Sequence, residues 1–134
     1  MKIDRFVIGP VGTNCYIVRN DDTDECFVTD PAACPLELVG HIRREGLNVK
    51  AVLLTHGHFD HIMGLDDFLK EFPVPVYAFS EEKPLLESAE LNSSLGMFGR
   101  PYTFSGAEYV SDGQILHIAG FEIRVIHTPG HTAG

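Results

Sequence analysis

The chain opens with short hydrophobic runs separated by turn-forming clusters. Residues 3–8, 14–18 and 26–29 are rich in apolar side chains. They stop at Gly9-Pro10, at the polar cluster 20–24 and at Asp30-Pro31, the punctuation of a hairpin-built sheet. Over residues 36–45 the spacing becomes helical, with Leu38 and Ile42 on one face and Gly46 as the stop. Residues 49–54 form an apolar run with β-branched members and predict a strand buried on both faces. Residues 61–72 predict one helix, because Ile62, Leu65, Leu69 and Phe72 fall near one stripe and Pro73 ends it. A strand over 74–79 and a helix over 81–87 follow. Residues 90–107 hold isolated glycines, a Gly-Arg-Pro and many polar residues, and read as a long surface segment with at most a short helical piece. Residues 114–118 and 121–126 flank Ala119-Gly120, which predicts a hairpin.

Antiparallel strands first and strand–helix–strand units afterwards define an α/β (α+β) chain, with a mixed sheet and helices packed on one face. The other face then needs a cover of its own. A length of 134 residues is one domain's worth. Hydrophobic residues at 44% and charged residues at 22% match ordinary globular domains, which excludes a disordered chain. No run approaches the roughly 18–20 apolar residues of a membrane span, and residues 1–6 lack the apolar core of a signal peptide. A cytoplasmic location is the resulting expectation. Cys15, Cys26 and Cys34 show no Cys-x-x-Cys spacing and suggest neither a disulfide framework nor a thiolate metal knuckle. Cys15, within Cys-Tyr-Ile-Val, reads as a small buried hydrophobe. The net charge of −9 argues against nucleic acid as a partner. It leaves a small-molecule phosphoester open, since bound divalent cations would dominate the local field.

The chemistry concentrates just after the run at 49–54. His56, His58, Asp60 and His61 lie within six residues, where loops at the carboxyl ends of strands usually carry ligands. Imidazole nitrogen and carboxylate oxygen suit Zn²⁺, and also iron or manganese. In an extended stretch His56 and His58 point the same way and can grip one ion. Asp60 and His61 start the next helix, displaced enough to serve a second. A second cluster, His127-Thr-Pro-Gly-His131-Thr132, also follows a predicted strand, and its Pro-Gly turn can swing His131 over the first loop as a third nitrogen ligand. His127 reads as a structural or supporting residue. A polar loop whose histidines merely bond to backbone is the bland alternative, and four ligand-type residues at this spacing disfavour it.

Thr-His-Gly-His-Phe-Asp-His at 55–61 resembles the His-x-His-x-Asp-His motif of the metallo-β-lactamase superfamily, and Thr-Pro-Gly-His-Thr at 128–132 resembles its next histidine motif. Gly-Pro-Val-Gly-Thr-Asn-Cys-Tyr-Ile-Val at 9–18 and Thr-Asp-Pro-Ala at 29–32 are similar to the glyoxalase II-like branch. The resemblance spans all 134 residues. It implies the N-terminal half to two-thirds of an αββα sandwich, with two ions, expected to be zinc, between its sheets. His56, His58 and His131 would hold the first ion; Asp60 and His61 would contribute to the second. Asp30 matches an acidic position that supports the metal loop. The family pattern continues with a bridging aspartate and a later histidine that have no counterpart before Gly134, so the sequence reads as a domain over 1–134 lacking its C-terminal part. A second copy, or that missing part, is the expected cover for the bare sheet face.

The same resemblance implies hydrolysis by a metal-activated water, with Asp60 orienting the water or accepting its proton. A thioester of the hydroxyacyl-glutathione type is the leading substrate. Other readings stay open: an iron-dependent persulfide dioxygenase; a lactonase, phosphodiesterase or β-lactamase; or a catalytically incompetent metal-binding or interaction fragment.

Overall fold

The computed structural model describes residues 1–134. Strands β1 (Lys2–Ile8), β2 (Thr13–Arg19) and β3 (Glu25–Thr29) form an antiparallel meander, with Phe6 opposite Cys15 and Ile17 opposite Val28. Strands β4 (Asn48–Leu53), β5 (Val76–Phe79) and β6 (Ala107–Val110) add in parallel, so one six-stranded mixed sheet runs in the order β1-β2-β3-β4-β5-β6. Helix α1 (Leu36–Arg44) connects β3 to β4, and α2 (Phe59–Ile62) and α3 (Leu65–Glu71) lead from β4 to β5. A 3₁₀ turn at Ser80–Glu82, α4 (Lys83–Leu86) and α5 (Ser94–Phe98) lead from β5 to β6.

Leu38 and Ile42 of α1 and Leu65 and Phe68 of α3 pack on Ile17, Val28, Val52 and Val76, all essentially inaccessible to solvent. Removing a Leu or Phe side chain from water contributes about 1.5–3 kcal/mol each, so this layer holds the helices to the sheet. On the opposite face lies the hairpin of β7 (Ile115–Ile118) and β8 (Phe121–Arg124). Ala51, Ile118 and Ala119 are buried there among Phe27, Leu116, Phe121 and Ile123, and the Phe27 and Phe121 rings meet edge to face at 6.1 Å. Both turn residues have positive φ, Ala119 at 53° and Gly120 at 73°, as a type I′ turn requires. The face expected to be bare is therefore partly covered. What remains is an apolar groove of about 270 Å³, lined by Leu54, Tyr77, Phe79, Val110, Ile123 and Val125 among others.

The structure departs from the sequence reading in three places. The helix expected over 61–72 is two helices broken at Met63-Gly64. A Cβ on Gly64 would run into the Pro31 carbonyl and the Ala33 backbone, so the joint packs against the β3–α1 connection instead of continuing straight. Strand β4 is buried on both faces only at Ala51 and Val52; Lys50 is exposed, its Nζ 3.2 Å from Glu25. Residues 90–107 are mostly exposed, as expected, with α5 as their short helical piece, but two polar side chains within them turn inward. Asn92 and Ser94 are fully buried, and Asn92 Nδ2 donates to the Tyr102 carbonyl at 2.8 Å. Internal hydrogen bonds satisfy these two buried side chains. Finally, β6 escaped the hydrophobic pattern because an edge strand of four residues is too short to show one: Ala107 and Tyr109 pack on the helix-side core, while Glu108 and Val110 share the other face, the first exposed and the second buried. No helix is long and apolar enough to cross a membrane.

Candidate metal centre

The parallel strands β3 and β4 end side by side, and their last residues lay the foundation of the site. Asp30, just past β3, adopts the left-handed region at φ 45° and is buried. Its carboxylate accepts the Thr55 amide at 2.8 Å and the Thr55 hydroxyl at 2.8 Å, tying the end of β3 to the loop after β4. With its proton committed to Asp30, the Thr55 oxygen accepts from His56 Nδ1, 3.1 Å away. That leaves His56 Nε2 with a free lone pair. His61 Nδ1 lies 3.2 Å from Asp30 Oδ2 and its Nε2 lies 3.5 Å from Asp60 Oδ2. Asp30 thus holds the proton on His61 Nδ1 and turns Nε2 towards Asp60. Thr13 Oγ1, at the start of β2, donates to the same Asp60 oxygen at 3.3 Å.

Gly57 lets the loop between His56 and His58 lie flat on α4, since a Cβ there would sit 2.9 Å from Leu85 Cβ. His58 occupies the N-terminal boundary of α2 in extended conformation, and Asp60 and His61 fall in that helix's single turn. The chain returns through residues 125–134, where His131 Nε2 reaches 3.0 Å from His58 Nδ1. His56, His58 and His131 each bring a nitrogen into one cluster, all within 4.8 Å of one another. Two partner-less imidazole nitrogens facing each other are unfavourable unless a proton or cation lies between them. Burial holds His56 down at about 4, helped by the charges of His61 and His58. Burial and His131 likewise lower His58. Burial also works against charging His61, but the Asp30 hydrogen bond and the Asp30 and Asp60 charges prevail and raise it. Neutral imidazoles with free lone pairs, backed by a carboxylate at one remove, are the donor chemistry that Zn²⁺ or ferrous iron requires. The residues present fit a divalent ion.

The structure brings His56, His58 and His131 together and sets Asp60 with His61 beside them. His127 stands apart: its ring stacks on Phe79 at 4.4 Å, and Nε2 donates to the Ala133 carbonyl at 2.8 Å. Two residues of the site had no signal in the motif. Thr13 is one; the other is Glu82, whose buried carboxylate accepts the Gly57 amide at 2.7 Å and the Gly134 amide at 2.8 Å. An acidic residue in a turn after a strand is normally solvated, so only the packing identifies it. Two hollows open on the cluster. One, of about 310 Å³, is lined by Val11, His58, Phe59, Asp60, Met97 and His131 among others; the second, of about 380 Å³, reaches Asp60 and His61 from the side of Asn14 and Tyr16.

A mixed sheet with imidazoles and carboxylates gathered at the ends of its parallel strands places the molecule among α/β proteins with a candidate metal centre. The model of the metallo-β-lactamase superfamily matches residues 8–134, and the chain belongs to that family. It is 36% identical to the probable metallo-hydrolase YqgX of Bacillus subtilis, covering all of this chain and 63% of that one. It is 30% identical to the hydroxyacylglutathione hydrolase GloC of Haemophilus influenzae, covering all of this chain and 64% of the relative. Among solved structures, the BLEG-1 B3 metallo-β-lactamase superposes with TM-score 0.89 at 38% identity, over 99% of this chain and 64% of that one. TTHA1623 in a di-iron-bound form superposes with TM-score 0.78 at 28% identity, over 98% of this chain and 63% of that one. The chain therefore spans a little under two-thirds of the length of these relatives.

Proposed function

We propose that the chain carries most of the metal centre of a hydrolase that opens an activated acyl bond with water, the substrate being a thioester of the hydroxyacyl-glutathione type. The observation that carries this reading is the convergence of His56, His58 and His131 nitrogens within 4.8 Å beside an open hollow. These three residues hold the first ion, and Asp60 with His61 contribute to a second. A bound divalent ion supplies a water nucleophile near neutral pH and polarises the substrate oxygen. The protein's own groups do the rest. Asp60, oriented by the Thr13 hydroxyl and His61, faces both hollows and accepts the proton of the attacking water. Val11, Phe59 and Met97 form the apolar wall that limits water around the substrate. The resemblance to GloC supports the thioester.

A β-lactam amide is the second reading, favoured by the 38% identity to BLEG-1. Zinc is the ion that the nitrogen donor set suits, and the di-iron form of TTHA1623 makes iron the alternative. The test is metal content after dialysis, followed by turnover of a hydroxyacyl-glutathione thioester against a β-lactam. We expect tightly bound metal that is lost in His58→Ala, and thioester turnover lost with it. A chain that retains no metal, or turnover unchanged in His58→Ala, overturns the proposal.

A further inference from the structure

We infer that Glu82 is a positioning residue that clamps the two metal-ligand loops to each other, and so sets the separation of His58 from His131. The inference rests on the metal-centre reading above and extends it to a residue outside the histidine motifs.

Glu82 is 1% exposed, and no lysine, arginine or histidine lies within ion-pair distance of it. A buried carboxylate in that position is costly unless hydrogen bonds replace its water. Its two bonds are divided between the two loops. Oε2 accepts from Gly57, the residue between His56 and His58, and Oε1 accepts from Gly134, three residues beyond His131. Both donors are glycines, and both sites are shaped around the carboxylate. A Cβ on Gly134 would sit 2.5 Å from Oε1 and 2.7 Å from Cγ of Glu82, and one on Gly57 would sit 3.3 Å from Oε2. The plain alternative is that Glu82 caps the helix it precedes, but its side chain makes no capping bond to α4. The same turn holds the returning loop a second time, because Glu81 and Phe79 flank the His127 ring. Loop positions in a metal site are held by such outer hydrogen bonds, whose loss weakens binding about 10–100-fold.

Glu82→Gln separates the clamp from mere bulk. Gln keeps the size but offers one carbonyl oxygen, so one loop is held and the other amide faces an NH₂ group. The measurements are Co²⁺ and Zn²⁺ affinity by chelator competition, the Co²⁺ electronic spectrum, and metal-free thermal unfolding, on the full 134-residue chain. Phe68→Leu, a core change on α3 away from the site, is the control for lost stability. Expected is an affinity loss of about 10-fold or more with an altered Co²⁺ spectrum in Glu82→Gln, and neither change in Phe68→Leu. Wild-type affinity and spectrum in Glu82→Gln overturn the clamp. Amide exchange of Gly57 and Gly134 in the metal-free wild type is a second measurement that needs no variant. Slow exchange of both supports the clamp, and exchange at the rate of an unstructured glycine refutes it. This second measurement decides the matter even if Glu82→Gln does not fold. Failure of the wild type to bind Co²⁺ overturns the metal-centre reading itself, which the exchange data do not depend on.

Discussion

Asp30 and Thr55 are joined twice, the Asp30 carboxylate accepting both the amide and the hydroxyl of Thr55 at 2.8 Å. This pair links the ends of two parallel strands and reaches the site on both sides: through the Thr55 oxygen to His56, and through Asp30 Oδ2 to His61. An amide cannot replace that carboxylate. An asparagine side chain in its place would present an NH₂ to His61 Nδ1 and force the proton onto Nε2, where it occupies the valence aimed at Asp60. Asp30→Asn should therefore destabilise the metal-free chain by about 1–3 kcal/mol, the cost of mismatched buried hydrogen bonds. It should also reduce the metal bound at saturating Zn²⁺. Urea denaturation and metal analysis read the two effects. Asp30→Ala should be worse, because φ 45° disfavours alanine by about 1–2 kcal/mol while asparagine tolerates it.

Much of this site was legible because its chemistry is contiguous in the sequence. His56, His58, Asp60 and His61 follow a run apolar enough to read as a strand, and the helix boundary at His58 places them as the spacing implies. His131 was legible through Pro129-Gly130. Asp30 was visible only as an acidic strand end, and Glu82 and Thr13 not at all, because their roles come from bonds across 25, 47 or 52 residues. The fold shows the same divide. Strands ended by Gly9-Pro10 or Asp30-Pro31 declared themselves locally. The break in the 61–72 helix depends on backbone packed against Gly64 from 31 and 33, which no periodicity records.

Gly64→Ala tests that packing. The added methyl meets main-chain atoms, Ala33 Cα and N at 2.5 Å, not the tip of a flexible side chain. Relief would require moving either the α2–α3 joint or the connection that begins at Asp30. Overpacking of this kind costs about 1–3 kcal/mol or more. The denaturation midpoint should fall accordingly, although alanine is the better helix former. A midpoint at or above wild type would refute the close approach.

The thiols give the chain an alkaline limit. Burial pushes Cys15 up to about 12, with the Asp30 charge adding to it, and burial pushes Cys26 up to about 12 against the opposing charge of Arg19. In the unfolded chain a thiol ionises near about 8.5. The folded-state values are raised, so the contribution to stability is complete below about pH 8.5 and is lost as pH rises through about 12. Within that window the loss is about 1.4 kcal/mol per pH unit for Cys15, and Cys26 adds in the same direction. Denaturation midpoints should fall from about pH 8 to about pH 10, and less steeply in Cys15→Ala than in wild type. Cys34 is only partly buried, so a thiol reagent at mildly alkaline pH should label it first.

His127 and His131 are close neighbours in the chain and make opposite predictions. His131 places Nε2 at 3.0 Å from His58, inside the imidazole cluster, whereas His127 is turned away onto Phe79 with its Nε2 spent on the Ala133 carbonyl. His131→Ala removes a donor, leaving two nitrogens for the first ion, too few for the three protein ligands of a catalytic zinc site. It should abolish tight binding. His127→Ala leaves every donor in place and removes only what holds the loop: the ring stack, worth about 0.5–1.5 kcal/mol, and one hydrogen bond, worth about 0.5–1.5 kcal/mol. Metal stoichiometry at saturation should then equal that of wild type, with affinity lowered. Phe79→Leu should follow His127→Ala, since it breaks the same stack from the other side. Titration with Zn²⁺ against a chelator separates the two classes. A His127→Ala chain that loses its metal as completely as His131→Ala would make His127 a ligand and place the ion elsewhere.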